Sequence, residues 1–312
     1  AGYFLEYYNG GDRMGFFREL YGFVEELGEL IDDSVNEFRE LMTDGFVEMV
    51  IKDNSDYETS YEKRDRADSI IFSARSSLED KIDEVTHDVE LTNELINNHY
   101  EYKLNILEGP LKETKLVLSE FIKINIDTKI VEDPVHKGMR DFEASLNIGT
   151  KMVAETLVAS FTNGLRLGPD IGGVFSDLLE QQERVEKSIQ YLEDARDYAA
   201  QTRLREAELE SLKSRMFYIR QCINEESKLL EILLAKLHDL TNQTKNNINQ
   251  GSFTPEEANK AKATWEIAEA VKEACTCIML NDKQNDLSQQ YQETLKNIKT
   301  IARNIDEGRP AK

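Results

Sequence analysis

Two long intervals of this chain contain neither glycine nor proline, one between Gly45 and Gly109 and the other between Gly173 and Gly251. These two residues interrupt helices most readily, so their absence over such lengths leaves room for very long helices. The apolar spacing agrees. In the first interval Ile71, Leu78, Ile82, Val85, Val89, Thr92, Ile96, His99 and Ile106 recur at steps of three and four, as a heptad seam does. In the second, Leu178, Val185, Ile189, Leu192 and Ala199 set one register. Leu209, Leu212, Met216, Ile219, Ile223, Leu230, Leu233, Leu237 and Leu240 set another, so the seam reads as shifted by a stammer near AQTRLREAE. A single helix over 175–241 would measure about 100 Å at 1.5 Å per residue. No compact sphere holds it.

The remaining segments also read as helical. Residues 12–52 carry an apolar stripe of Phe17, Leu20, Val24, Leu27, Ile31, Val35, Phe38 and Leu41. Thr254-Pro255-Glu256-Glu257 combines a cap residue, an N1 proline and a capping-box glutamate, which places a helix start there. Within FIKINIDTKIVEDP, Ile122, Ile124, Ile126 and Ile130 alternate as a strand would, while Leu111, Leu118, Ile122 and Ile126 fit a helix. Helix is preferred because an isolated strand would have no partner. The expected fold is all-α: an elongated antiparallel bundle of five to six helices with coiled-coil-like seams, forming one domain over 1–312. The helices are expected near 12–52, 61–107, 111–131, 139–163, 174–241 and 254–306.

Charge narrows the function. Sixty acidic against 38 basic side chains give a net charge of −22, the wrong sign for binding a phosphate backbone or an anionic lipid surface. Nucleic acid is therefore not an expected partner. Such a surface suits a protein partner, a basic one in particular, or a second copy meeting along an unfilled seam. Three cysteines without disulfide spacing point to a reducing, cytoplasmic setting, with a removed secretory signal as the open alternative. No run of 18 apolar residues is present to span a bilayer.

Catalytic and metal motifs are sparse. Glu84-Val85-Thr86-His87 is a Glu-x-x-His pair, but a di-metal bundle needs two, and the residues three before His99, His136 and His238 are Ile96, Asp133 and Ala235. Cys275-Thr276-Cys277 has helical i, i+2 spacing that points the thiols apart, so they read as small buried hydrophobes. His99 lies on its seam and reads as an interior polar group; Trp265 reads as a core anchor. The early GGDRMG lacks the lysine of a phosphate loop, and Asp53-Asn54-Ser55-Asp56 lacks the glycine and terminal glutamate of a calcium loop. No catalytic residue, metal or cofactor is expected, and the chain reads as a non-enzyme.

One stretch stands apart. Met152 to Leu179 contains only Glu155, Arg166, Asp170 and Asp177 as charged residues, and it gathers four glycines and a proline. It reads as a turn between two long helices, with Phe161, Gly164, Gly168, Pro169, Gly172, Gly173 and Phe175 as candidate interaction or hinge residues. The order of long helix, apolar glycine turn and long helix resembles the plan of helical pore-forming toxins. That resemblance implies a membrane-acting protein as the alternative function. Arg166 and Asp170 argue against it, since each costs about 2.5–3.5 kcal/mol at a bilayer centre. The leading expectation is a non-enzymatic interaction or scaffold protein working through long helical faces. Tyr3, Phe4, Tyr7 and Tyr8 form a candidate aromatic patch for another chain.

Overall fold

The computed structural model describes residues 60–125, 133–163, 171–251 and 254–307. The helix expected over 12–52, the motifs before it and at 53–56, and the Tyr3, Phe4, Tyr7, Tyr8 patch lie outside the described residues, as do Gly164, Gly168 and Pro169. The chain, which reads from its sequence as one domain, divides into two compact units, Ala1–Lys63 and Arg64–Lys312. Apart from residues 60–63, the described helices belong to the second unit.

The fold is all-α. Among the described residues the helices are α1 (Ser60–Glu108), α2 (Pro110–Asn125), α3 (Asp133–Asn163), α4 (Ile171–Glu186), α5 (Tyr191–Gln250), α6 (Pro255–Thr276) and α7 (Gln289–Asp306). Only Gly109 separates α1 from α2, and backbone bonds from Gly109 N to Asn105 O and from Glu113 N to Gly109 O carry the helix across it. Helix is thus found for 121–125, where helix and strand patterns competed. At 60 residues α5 is about 90 Å long, so this unit is elongated. It ends at Gly251, whose φ of 64° is left-handed and whose N–H reaches back to Asn247 and Ile248 carbonyls, a glycine C-cap. The Thr254 capping box forms as expected.

α3 starts at Asp133, a turn and a half before the 139 read in the sequence, and three further features differ from that reading. First, 174–241 is not one helix: the chain breaks at Lys187–Gln190, where the Ser188 hydroxyl accepts the Gln190 N–H and Ile189 is fully exposed. A serine turn does this without glycine or proline. Second, 254–306 is broken between Thr276 and Gln289 by a polar turn, Asn281 to Asp286, closed by an antiparallel bridge between Leu280 and Leu287. Asn281 and Asn285 hydrogen-bond each other across it, Gln284 takes a positive φ of 53°, and Ser288 caps α7. Third, no stammer is needed in α5. Its seam runs through Ala195, Tyr198, Thr202, Leu209, Leu212, Met216, Ile219 and Ile223 to Leu240, all buried.

The helices assemble as two hairpins lying side by side. Asn97 on α1 meets Ser160 on α3, and Thr244 on α5 meets Thr264 on α6, so each long helix folds back on a shorter one. Corresponding helices of the two hairpins then pack in parallel at an almost constant offset. His99 meets Glu226 and Thr114 meets Thr241, in both cases 127 residues on. Ser145 meets Lys272 at the same separation. A Cβ on Gly138 would lie 2.3 Å from the Trp265 ring, and one on Gly149 would lie 2.3 Å from Thr276 Cγ2, so glycine permits the α3–α6 approach.

Residues 152–179, read in the sequence as a turn between two long helices, include the end of α3 and the start of α4. Ser160 lies at Asn97, and Glu186, at the end of α4, lies within electrostatic reach of Arg75. α3 and α4 therefore run in the same direction alongside α1. Gly172 and Gly173 fall in the first turn of α4 rather than in a loop.

Candidate functional site: a buried ionic cluster

The heptad seams that build the long helices carry apolar residues at nearly every turn. Where α1 and α5 run parallel, the pattern is broken on both sides. His99 and Lys103 occupy successive seam positions of α1, and Glu226 occupies the α5 seam position between Ile223 and Leu230. All three are buried, Lys103 completely. An ionised group in such a place is tolerated only if it is paired and hydrogen-bonded.

The pairing is complete on the carboxylate. Lys103 Nζ lies 2.8 Å from Glu226 Oε1, and His99 Nε2 lies 2.6 Å from Oε2. Lys103 also donates to the Ala274 carbonyl of α6 at 3.0 Å and sits 5.3 Å above the Tyr291 ring of α7, a cation–π contact. Ser227 Oγ donates to the Ile223 carbonyl and lies 3.3 Å from His99 Nδ1. Nearby, the Tyr100 hydroxyl accepts the Met279 N–H at 3.0 Å, tying α1 to the turn that follows α6. Four helices meet at this cluster.

Burial sets the protonation states. It pushes the His99 imidazole down, against the Glu226 hydrogen bond, which favours the neutral ring; in that form the tautomer matching the 2.6 Å contact has Nε2–H donating to Glu226. Burial alone would raise the Glu226 carboxyl, but the Lys103 charge and the hydrogen bonds to it outweigh that and hold it below its ordinary value. Tyr291 is pushed well up by burial and by the Glu226 charge; its hydroxyl is buried and makes no hydrogen bond of normal geometry. Cys222, Cys275 and Cys277 are free, buried thiols, all pushed up by burial, with Cys222 at about 11. Neutral thiols are poor nucleophiles and poor ligands. The cluster neutralises and anchors; it offers no activated nucleophile.

Of the residues singled out in the sequence, only His99 and the cysteine pair fall here. Glu84 lies instead in a surface network with Lys81 and Lys213, and His87 is exposed. Trp265 is half-buried against the core, facing Gly138. Of the candidate hinge residues, Phe161 lies on α3, and Phe175 is half-buried on α4. Lys103 and Glu226 are not among the residues singled out. Among so many charged residues their type carries no signal; their seam positions, opposite in charge and facing across the common offset, do. Among the described residues no group of three His, Cys, Asp or Glu is placed to hold a metal ion. Outside the core, α3 carries an outward line of Ala144, Ile148 and Met152, with Val158 beyond; Ile148 and Val158 are each 64% exposed. Compared with known proteins, the chain matches no family model, and no curated protein or solved structure is detectably similar to it.

Proposed function

We propose that this is a non-enzymatic interaction or scaffold protein that engages a protein partner through the outer faces of its long helices. The observation that carries this reading is the outward apolar line on α3. Ile148, Met152 and Val158 hold large apolar groups in solvent on one helix, whereas the seam positions of the same helix, Phe142, Leu146 and Val153, are filled against the core. Isolated exposed apolar residues are ordinary, but a line of them along one face is what a docking helix or protein surface covers. The net charge of −22 suits a basic partner flanking that line.

The test is a partner capture comparing wild type with Ile148→Glu/Met152→Glu. Both positions are exposed, so the fold survives, and the expected result is specific loss of the captured protein. Capture unchanged by the double substitution would sink the reading. The alternative, a membrane-acting protein, draws on the same exposed line. Flotation with neutral and anionic liposomes separates the two, since lipid binding lost in Val158→Glu would favour the alternative. No described helix is long and apolar enough to cross a membrane.

A further inference from the structure

We propose that the His99–Glu226–Lys103 cluster is an acid-sensitive latch, in which a proton taken up by His99 loosens the hold of α1 on α5 and on the turn between α6 and α7. This stands independently of the partner-binding reading. It rests on charge balance among buried groups. Glu226 is the one buried carboxylate among the described residues, and Lys103 already neutralises it. A cationic His99 would leave one positive charge unmatched.

Among the described residues no neighbour compensates. From α5 the groups facing the cluster are Ser227, a neutral hydroxyl 3.3 Å from His99 Nδ1, and the Cys222 thiol. From α6 and the turn after it come the Ala274 carbonyl, Cys275 and Cys277. From α7 comes the Tyr291 phenol, and from α1 itself the Tyr102 ring, 6.2 Å from the imidazole between centroids. Glu231, which acts on Tyr102, is exposed. Burial keeps these thiols and phenols uncharged through neutral and mildly acidic pH.

The sign follows from linkage. Burial lowers the His99 pKa in the folded protein, whereas an unfolded imidazole titrates at about 6.5. The stabilisation is therefore complete above that value and is lost as pH falls from it towards the folded pKa, by up to about tenfold in the folding constant per pH unit. Lys103–Ala274 and Tyr100–Met279 join α6 and the turn after it to the helix that carries His99, so the latch predicts opening of that segment first.

The experiment is urea unfolding and hydrogen exchange of the full chain at about pH 7.5, 6.5 and 5.5, for wild type and His99→Gln. The glutamine amide can donate to Glu226 and does not titrate, while His87, His136 and His238 are common to both proteins. Between the two lower pH values the wild-type folding constant is expected to fall several-fold more than the variant's, with faster exchange over 274–291. Parallel pH dependence in the two proteins, or a wild type more stable at the lowest pH than at the highest, would overturn the latch. Should the variant not fold, the imidazole titration of His99 in wild type decides by NMR: a midpoint below about 6.5 supports the proposal and one at or above it overturns it.

Discussion

At the scale of single residues, what the cluster contributes depends on which partner is removed. Lys103→Met leaves Glu226 buried beside a neutral histidine, and breaking one side of a buried pair typically costs about 3–5 kcal/mol. Replacing the whole cluster with His99→Leu, Lys103→Met and Glu226→Leu removes the charges together, and much of that loss should be recovered. Urea denaturation of the two proteins checks this; equal destabilisation would mean that the ions contribute stabilisation of their own. The sequence reveals this site only in part. His99 is visible because histidine is rare here, whereas Lys103 and Glu226 belong to the commonest classes in a chain that is 31% charged. Burial of a charge leaves no mark on composition. It leaves a mark on phase, because both residues sit where the heptad demands an apolar side chain.

At the scale of elements, the seams are legible in the sequence and the breaks are not. Period-seven apolar residues depend on the chain's own geometry, so most of α1 can be read directly. The turns at 187–190 and 277–288 are made by serine and asparagine side chains bonding to nearby backbone or to each other, and such residues are also common inside polar helices. Glycine misleads in the opposite sense. Gly138 and Gly149 lie inside α3, where they let α6 approach, and Gly172 and Gly173 lie within α4. An alanine at an open helical position gains about 1 kcal/mol over glycine. At 138 the added methyl meets Trp265, so Gly138→Ala is expected to destabilise the protein by about 1–3 kcal/mol, as overpacking does. In a Trp265→Leu background the same substitution should be close to neutral. A thermal-melt double-mutant cycle measures the difference, and additivity of the two changes would show that no clash exists.

At the scale of the whole second unit, the parallel hairpins explain why one offset recurs. Once α5 is set beside α1 with Glu226 opposite His99, the lengths of the two arms bring Thr241 to Thr114, and the returning helices place Lys272 at Ser145. A one-heptad slip would keep most apolar contacts but would put Ile219 or Leu233, in place of Glu226, opposite His99. Either slip buries Lys103 without its carboxylate, so the ionic cluster selects one register from several that the apolar seam alone would accept. That register can be tested directly. Thr114 and Thr241 are buried and face each other with their hydroxyl oxygens 3.0 Å apart, so cysteines at both positions are near enough to bond after small rotamer changes. On mild oxidation Thr114→Cys/Thr241→Cys is expected to give a linked peptide by mass spectrometry. It should also raise the urea midpoint, by an amount corresponding to about 2–4 kcal/mol, because the bond closes a long loop in the unfolded chain. Thr92→Cys/Thr241→Cys serves as the control, since Thr92 lies about 33 Å further along the helix at 1.5 Å per residue and should not link. The native cysteines are buried and common to both proteins. If α5 ran antiparallel to α1 and α2, or if the offset were a heptad different, the first pair would stay reduced under conditions that leave the protein folded, and the side-by-side hairpin arrangement would fall with it.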